Sequence, residues 1–361
     1  MDNIKNYKCP CCGAALVFSG EQQKLHCESC GNSYDVGDLD TLNENEEAAG
    51  SSSKYDWESY TPHRFGTAEA GGFVTYTCPS CAAEITGDAN IGSLVCPYCG
   101  NSTVVQTAFN GMYKPDYVIP FRIDKKSAMK KLMENARRKI FIPKEFKTET
   151  KLKEIEGMYV PFWMFDCDAE CDASFSATRT HAWSDSNYNY TKTDHYKIYR
   201  SGNACFANVP VDGSTKADDA YMEAIEPFDY NDAMDFDTAY LSGYLADKYD
   251  VSAEESKERA NSRIKQSMED ILRGSISGYA TVVTDGSSVR FSGGKVRYAF
   301  LPVWMLNVKY KDKMYSFAMN GQTGKTVGKY PVAMPKIIAF YFACFAVFGG
   351  LASLICRFIL S

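Results

Sequence analysis

Residues 76–100, YTCPSCAAEITGDANIGSLVCPYCG, hold two CxxC pairs, Cys78/Cys81 and Cys96/Cys99, with fourteen residues between them. Two facing thiolate knuckles at this spacing supply the four tetrahedral ligands of a structural zinc site. The turn after each second cysteine asks for positive φ, which glycine adopts without cost. Gly100 meets that need, whereas Ala82 departs from it. Between the knuckles, EIT (84–86) and SLV (93–95) read as short strands of a ribbon.

The same arrangement occurs upstream. Cys9 and Cys12 are followed after fourteen residues by Cys27 and Cys30, each 69 positions before its counterpart. Gly13 and Gly31 close these knuckles, and ALVF (15–18) and KLH (24–26) are the intervening strands. Cys11 is a surplus thiol inside the first knuckle, read as a bystander. The expected result is a pair of zinc ribbons, residues 1–37 and 73–108, holding two structural zinc ions. Four thiolates leave no position open for water, so neither site is expected to be catalytic. A redox role for the pairs finds no βαβ context.

Charge limits what the ribbons can do. The chain of 361 residues carries a net charge of −6. Lys5, Lys8 and Lys24 balance Asp2, Glu21 and Glu28 in residues 1–34, and residues 76–105 contain Glu84 and Asp88 but no Lys or Arg. A ribbon without basic side chains is a poor phosphate binder, so nucleic acid is an unlikely partner and protein docking is favoured. The N-terminus MDNIKNYKCP has no apolar h-region, and eight of the fourteen cysteines stand at metal spacing. Both features suit a reducing, cytoplasmic setting.

The other end of the chain changes the class. Residues 337–356, IIAFYFACFAVFGGLASLIC, run for twenty residues without a charge between Lys336 and Arg357. At about 1.5 Å per residue such a helix crosses the hydrocarbon core of a bilayer. Residues 336–357 are therefore expected to be a single-pass transmembrane tail anchor. Lys325, Lys329 and Lys336 on the near side place the N-terminal body in the cytoplasm, at the cytoplasmic (plasma) membrane.

Residues 38–72 are acidic, rich in Ser and Gly and short of aliphatics, and read as a flexible linker. Tyr55, Trp57 and Tyr60 are exceptions that allow a docking segment instead. The body, 117–331, reads as α+β over antiparallel sheet, with an internal duplication. YVPFWM (159–164) and FLPVWM (300–305) share Pro, Trp and Met in register. After the first, Phe165, Cys167, Ala169, Cys171, Ala173 and Phe175 alternate with polar residues, the period of a half-buried strand. A helix precedes each motif. One spans 125–140, with Met129, Leu132, Met133, Ala136 and Ile140 on one face. The other begins at a Ser252/Glu255 capping box, carries Ile264, Met268, Ile271 and Leu272, and ends at Gly274.

Three remaining features receive plain readings. The first helix is strongly basic (Lys125, Lys126, Lys130, Lys131, Arg137, Arg138 and Lys139) and is read as a solvated face, with anionic lipid as the alternative. The acidic run containing Asp229, Asp232, Asp235 and Asp237 lacks the Gly and terminal Glu of an EF-hand loop. GQTGKT (321–326) lacks the first Gly and the following helix of a P-loop, so it reads as hairpin turns. His26, His63, His181 and His195 form no recognisable catalytic motif, and the chain is not expected to be an enzyme.

The paired quartets CPCCG…CESCG and CPSCA…CPYCG, together with YVPFWMFD and YLSGYLADKYDVSAEE (240–255), resemble the bacterial membrane proteins with transcription-factor-IIB-type zinc ribbons. The likeness covers nearly the whole chain. Some relatives in that group stand beside phage-shock, PspA-like proteins, which are coat-forming relatives of the ESCRT-III machinery. The resemblance implies a membrane-anchored adaptor that recruits such a coat in membrane stress. A membrane-tethered transcription regulator, with ribbons that bind nucleic acid, is the alternative.

Overall fold

The computed structural model describes every residue except 1–6, 11–13, 21, 66–72, 89–94, 102–104, 109–112, 149–154, 312 and 360–361. In chain order the elements begin with β1 (Val17–Ser19), β2 (Lys24–His26), β3 (Ser33–Tyr34) and helix α1 (Val36–Gly50). There follow β4 (His63–Arg64), β5 (Phe73–Thr77), β6 (Glu84–Asp88), β7 (Val105–Ala108), β8 (Tyr113–Lys114) and β9 (Tyr117–Val118). Next come α2 (Lys125–Arg138), β10 (Glu156–Ser184), β11 (Asn189–Asp212), α3 (Asp219–Ala224), β12 (Met234–Asp235) and β13 (Leu245–Asp247). The rest is α4 (Ala253–Gly274), β14 (Thr281–Tyr310), β15 (Lys313–Asn320), β16 (Thr326–Gly328) and α5 (Met334–Ile359).

These elements form two compact units, each drawn from three chain segments. The first comprises Met1–Tyr60, Met164–Val211 and Glu254–Val296; the second comprises Thr61–Trp163, Asp212–Ala253 and Arg297–Ser361. Strands β10 and β14 each contribute residues to both units.

In the first unit, β1, β2 and β3 form an antiparallel sheet with Phe18 opposite Leu25 and Leu25 opposite Tyr34. Residues expected in a flexible linker are instead ordered. Leu39 and Ala49 of α1 are buried, and Tyr7 Oη donates to Asp40 at 2.9 Å. Beyond α1, Lys54 N–H donates to Val289 O and Glu58 N–H to Gly294 O, both at 2.9 Å. Trp57 stands edge-on to Phe165 and Phe291, with ring centroids 5.1 and 5.5 Å apart, and its Nε1 donates to Asn261 at 2.8 Å. Burying a large apolar side chain contributes about 1.5–3 kcal/mol, enough with the backbone bonds to offset the ordering of a few residues. Gly294 is required here, since a Cβ would collide with the Asp56 carbonyl.

The alternation in β10 holds. Phe165, Cys167, Ala169, Cys171, Ala173 and Phe175 are all buried, and α4 packs Ile264, Met268 and Leu272 into the same cluster. Ile271, expected in that stripe, lies at its edge and is exposed. Burial pushes the Cys167 and Cys171 thiols up to about 12 and about 11, as befits neutral core residues.

The second unit carries a mixed sheet rather than an antiparallel one. Tyr117 and Val118 of β9 pair parallel with Ala299 and Phe300 of β14, and Leu245 and Ala246 of β13 pair parallel with Met158 and Tyr159 of β10. A period of two reports which face is buried but not the direction of the neighbouring strand, so the parallel pairs left no trace in the pattern. Helix α2 is capped by Asp124, whose carboxylate accepts from Ser127 N–H at 3.0 Å. Its Ala128, Leu132, Met133 and Ala136 are buried with Trp304, Leu306, Phe317 and Met319. The helix ends at Arg138, and Ile140, expected on its apolar face, is 67% exposed.

GQTGKT joins β15 to β16 as a hairpin, with Met319 opposite Thr326. The Asn320 amide organises this turn, accepting from Gln322 and Thr323 N–H at 2.9 Å and donating to Ile225 O and Pro227 O. Carboxylates of the acidic run cap short helical turns: Asp218 accepts from Tyr221 N–H, Asp229 from Asn231 N–H and Asp237 from Ala239 N–H. The last helix, α5, is 26 residues long, and one apolar stretch of it, Met334–Ser353, is long enough to cross a membrane. None of that stretch is buried, which separates it from a core helix.

Candidate metal centre

Knuckle-like turns bring the described cysteines together; residues 11–13, around Cys12, lie outside the described residues. In three of them the first cysteine accepts at its carbonyl from the N–H four residues on: Gly31 to Cys27, Ala82 to Cys78 and Gly100 to Cys96, at 2.8–2.9 Å. The first-cysteine N–H also donates five residues on, from Cys9 to Ala14 O, Cys27 to Asn32 O, Cys78 to Ala83 O and Cys96 to Asn101 O. The closing residue needs positive φ: Gly31 has +78°, Gly100 +71° and Ala82 +56°. Ala82 bears the Cβ cost of the left-handed region, about 1 kcal/mol. Replacing Ala82 by Gly is expected to stabilise this knuckle by about that amount, raising the melting temperature by roughly 2–4 °C. An unchanged or lower melting temperature would show that the turn bears no such strain.

The Sγ atoms of Cys78, Cys81, Cys96 and Cys99 lie within 4.8 Å of one another. Cys78 and Cys99 are 3.6 Å apart and Cys81 and Cys96 are 3.7 Å apart. A tetrahedral ion with metal–sulfur bonds of about 2.3 Å needs sulfurs about 3.8 Å apart, so the donor set fits a thiophilic tetrahedral metal. Burial alone would raise the Cys78 thiol, but the N–H groups of Cys81 and Ser80 and a bond from Cys99 bring it down to about 7. Burial raises Cys81 and pushes Cys96 higher still. Of these three thiols Cys78 gives up its proton most readily, and metal binding displaces the protons that remain.

This cluster is not a free-standing ribbon. Residues Thr86 and Ile85 of β6 pair with Ala246 and Asp247 of β13, and β5 and β7 continue the sheet outward. Lys248 pairs with Glu84 at 3.1 Å, Asn307 Nδ2 donates to Pro97 O at 2.5 Å, and Tyr98 inside the second knuckle donates to Asp247. Gly100 packs against the end of the Met314 side chain. The cysteine motif itself carries no sign of this attachment, whose partners lie 149 or more residues away from Tyr98 and Pro97.

The second cluster contains Cys9, Cys27 and Cys30, which can also hold a metal ion. Cys9 and Cys30 Sγ are 3.5 Å apart, and Asn32 Nδ2 donates to Cys30 Sγ at 3.4 Å. Cys12, the expected fourth ligand, lies outside the described residues, as do Cys11 and Gly13. Among the described residues these are the two groups suited to a metal.

A comparison of the whole chain extends the likeness beyond cysteines. The uncharacterized protein YdjG of Bacillus subtilis (strain 168) is 33% identical over 338 residues, covering 94% of this chain and 93% of that protein. The chain belongs to the YdjG family. No family model and no solved structure matches it. A match of this length takes in the body as well as the cysteine-bearing segments.

In this YdjG-family chain the attachment residue Asp247 is 2% exposed, and burial pushes its carboxyl up to about 7 against hydrogen bonds from Ser214 and Tyr98. A carboxyl whose folded pKa lies above its unfolded value, about 3.9, keeps its proton on folding while the unfolded chain releases it. Its contribution is therefore fully present below about pH 4 and declines as pH rises toward 7. Asp247→Asn keeps an acceptor for Tyr98 and removes that slope. The variant is expected to gain on the order of 2 kcal/mol over wild type between pH 5.5 and 7.5, measured as the difference between their unfolding curves. That difference cancels thiol titration common to both, and a pH-independent difference would rule out Asp247 as the titrating group. The histidines are dispersed: His26 bonds Ser33, His63 lies 3.8 Å from Asp116, and His181 and His195 are exposed on β10 and β11.

Proposed function

We propose that this chain is a non-enzymatic, membrane-anchored adaptor in which zinc folds both cysteine clusters and the first ribbon docks a protein partner. The carrying observation is the exposure of Val17 (51%) and Phe18 (50%) on β1, one of the two edge strands of the small sheet. They line a cavity of about 230 Å³ with Ser19, Gln22, His26 and Glu28. An edge strand with two bare apolar side chains suits an added strand from another chain, with the cavity taking a side chain. The other cluster is engaged by β13, Asp247 and Asn307, which supports a purely structural role for it.

In this reading α5 crosses the cytoplasmic membrane and the rest of the chain lies in the cytoplasm. The resemblance noted above supplies the partner class, a PspA-like coat protein. The body is read as two related halves, which the pairing of β9 with β14 and of β13 with β10 supports. The test is capture of a PspA-like protein by the full chain in native membranes, before and after Val17→Asp with Phe18→Asp. Capture should fall at least tenfold while metal content and membrane retention stay unchanged. Undiminished capture by that variant would remove the first ribbon as the docking element.

A further inference from the structure

The end of α2 is fastened to the start of α5. Ala333 N–H donates to Phe141 O at 2.7 Å and Lys336 Nζ to Ile142 O at 2.6 Å. The rings of Phe141 and Phe340 meet edge to face at 5.2 Å. Lys336 is the last charge before the twenty-residue apolar run, and such a lysine sits at headgroup depth. Phe141 and Ile142 share that depth because they are bonded to it. Around this junction Ile140, Val332 and Met334 are exposed, an apolar collar that water alone would not favour.

Cations lead back from the junction along α2. Lys125 is paired with Glu156, Lys131 reaches Thr323 O, and Lys139 lies over the Tyr330 ring. Lys126, Lys130, Arg137, Arg138 and Lys144 are exposed and make no ion pair among the described residues. Glu134 is the sole acid within residues 125–139. A groove of about 540 Å³ follows the helix, lined by Lys126, Lys130 and Arg137 with Met129 and Met133. A cationic rim beside methionine side chains matches a phosphate group joined to the upper part of an acyl chain. A merely solvated face accounts for the charges. It does not account for their leading, unpaired, to a bare apolar collar at the foot of an apolar helix.

We propose that the basic face of α2, continuous with its junction to α5, binds anionic phospholipid headgroups of the leaflet that α5 enters. This rests on the reading of α5 as a membrane span. The groups involved lie far from one another in sequence, so a count of Lys and Arg in the residues flanking the span omits Arg137, Arg138 and Lys139. Three cations near an anionic surface give a preference on the order of 100-fold at low salt, screened over about 8 Å at physiological ionic strength.

The test uses the purified full chain in neutral detergent, with fluorescent phosphatidylglycerol and phosphatidylcholine as probes. Wild type is compared with Lys126→Glu/Lys130→Glu/Arg137→Glu and with the milder Lys126→Gln/Lys130→Gln/Arg137→Gln. Resistance to alkaline carbonate in native membranes tests the span separately, and metal content and circular dichroism check folding. The expected result is a phosphatidylglycerol preference that falls at least tenfold in both variants, with carbonate resistance retained. Carbonate resistance without any headgroup preference would overturn the lipid site and leave the span intact. So would a preference that survives in the Gln variant, or displacement by inorganic phosphate. Release of wild type by carbonate would overturn the span, and the lipid site with it.

Discussion

Cys78→Ser with Cys81→Ser is expected to release one metal ion per chain and to unfold the outer part of the second unit's sheet. The magnitudes decide this. Binding of a structural tetrathiolate zinc is worth about 10–16 kcal/mol in isolated fingers, comparable to the whole net stability of a domain, about 5–15 kcal/mol. The knuckles hold β5 and β6 at their ends, β6 pairs with β13, and Tyr98 and Pro97 are bonded to Asp247 and Asn307. Losing the knuckles therefore strips β13 of its antiparallel partner β6, leaving only β10 beside it, and exposes buried Ile85 and Tyr76. Limited proteolysis should cut the variant within residues 73–108 and its thermal transition should fall by more than 10 °C. The contrasting variant, Cys27→Ser with Cys30→Ser, should lose the other ion while leaving the proteolysis of residues 73–108 as in wild type. If the Cys78/Cys81 variant were cut only within its own knuckles, with β13 as protected as in wild type, the Cys78–Cys99 cluster would be an independent module and its attachment to β13 energetically minor.

That contrast marks where sequence reasoning stops. The cysteine spacing was legible because coordination chemistry fixes it: two short turns must face each other across a ribbon, whatever surrounds them. Gly31 and Gly100 were legible for the same reason, and Ala82 adopts the expected backbone in spite of its Cβ. The buried face of β10 was legible because alternation is a local property. The fate of residues 51–60 was not. Their composition is that of a tether, and what orders them is Asn261, 204 residues beyond Trp57, together with the edge of β14. Likewise nothing near Cys96 indicates Asp247, which is 149 residues from Tyr98. The basic helix shows the same limit. Its charge was plain, but only its fastening to α5 through Phe141 and Ile142 gives the charge a neighbour to act on.

Trp304→Ala is expected to cost about 4–8 kcal/mol, among the largest losses from any single core substitution in the second unit. Removing a buried Trp leaves a cavity worth about 3–5 kcal/mol, and the carbonyl it bonded adds about 1–3 kcal/mol if left unsatisfied. The indole Nε1 donates to Ile123 O at 3.0 Å, in the lead-in to α2, and the ring stands 5.1 Å from Phe121. Its counterpart in the first PxWM motif behaves alike: Trp163 Nε1 donates to Val251 O at 2.9 Å, in the lead-in to α4, and the ring stands 5.0 Å from Tyr249. Each tryptophan thus holds the start of the helix that follows the parallel strand beside it. Trp304→Phe and Trp163→Phe keep most of the ring and lose the bond, so each is expected to cost about 1–3 kcal/mol in urea unfolding. Matched costs at the two positions are what two related halves require. A large cost at Trp304 beside a negligible one at Trp163 would mean that the shared motif reflects similar packing needs alone, with the helix lead-ins held independently of it.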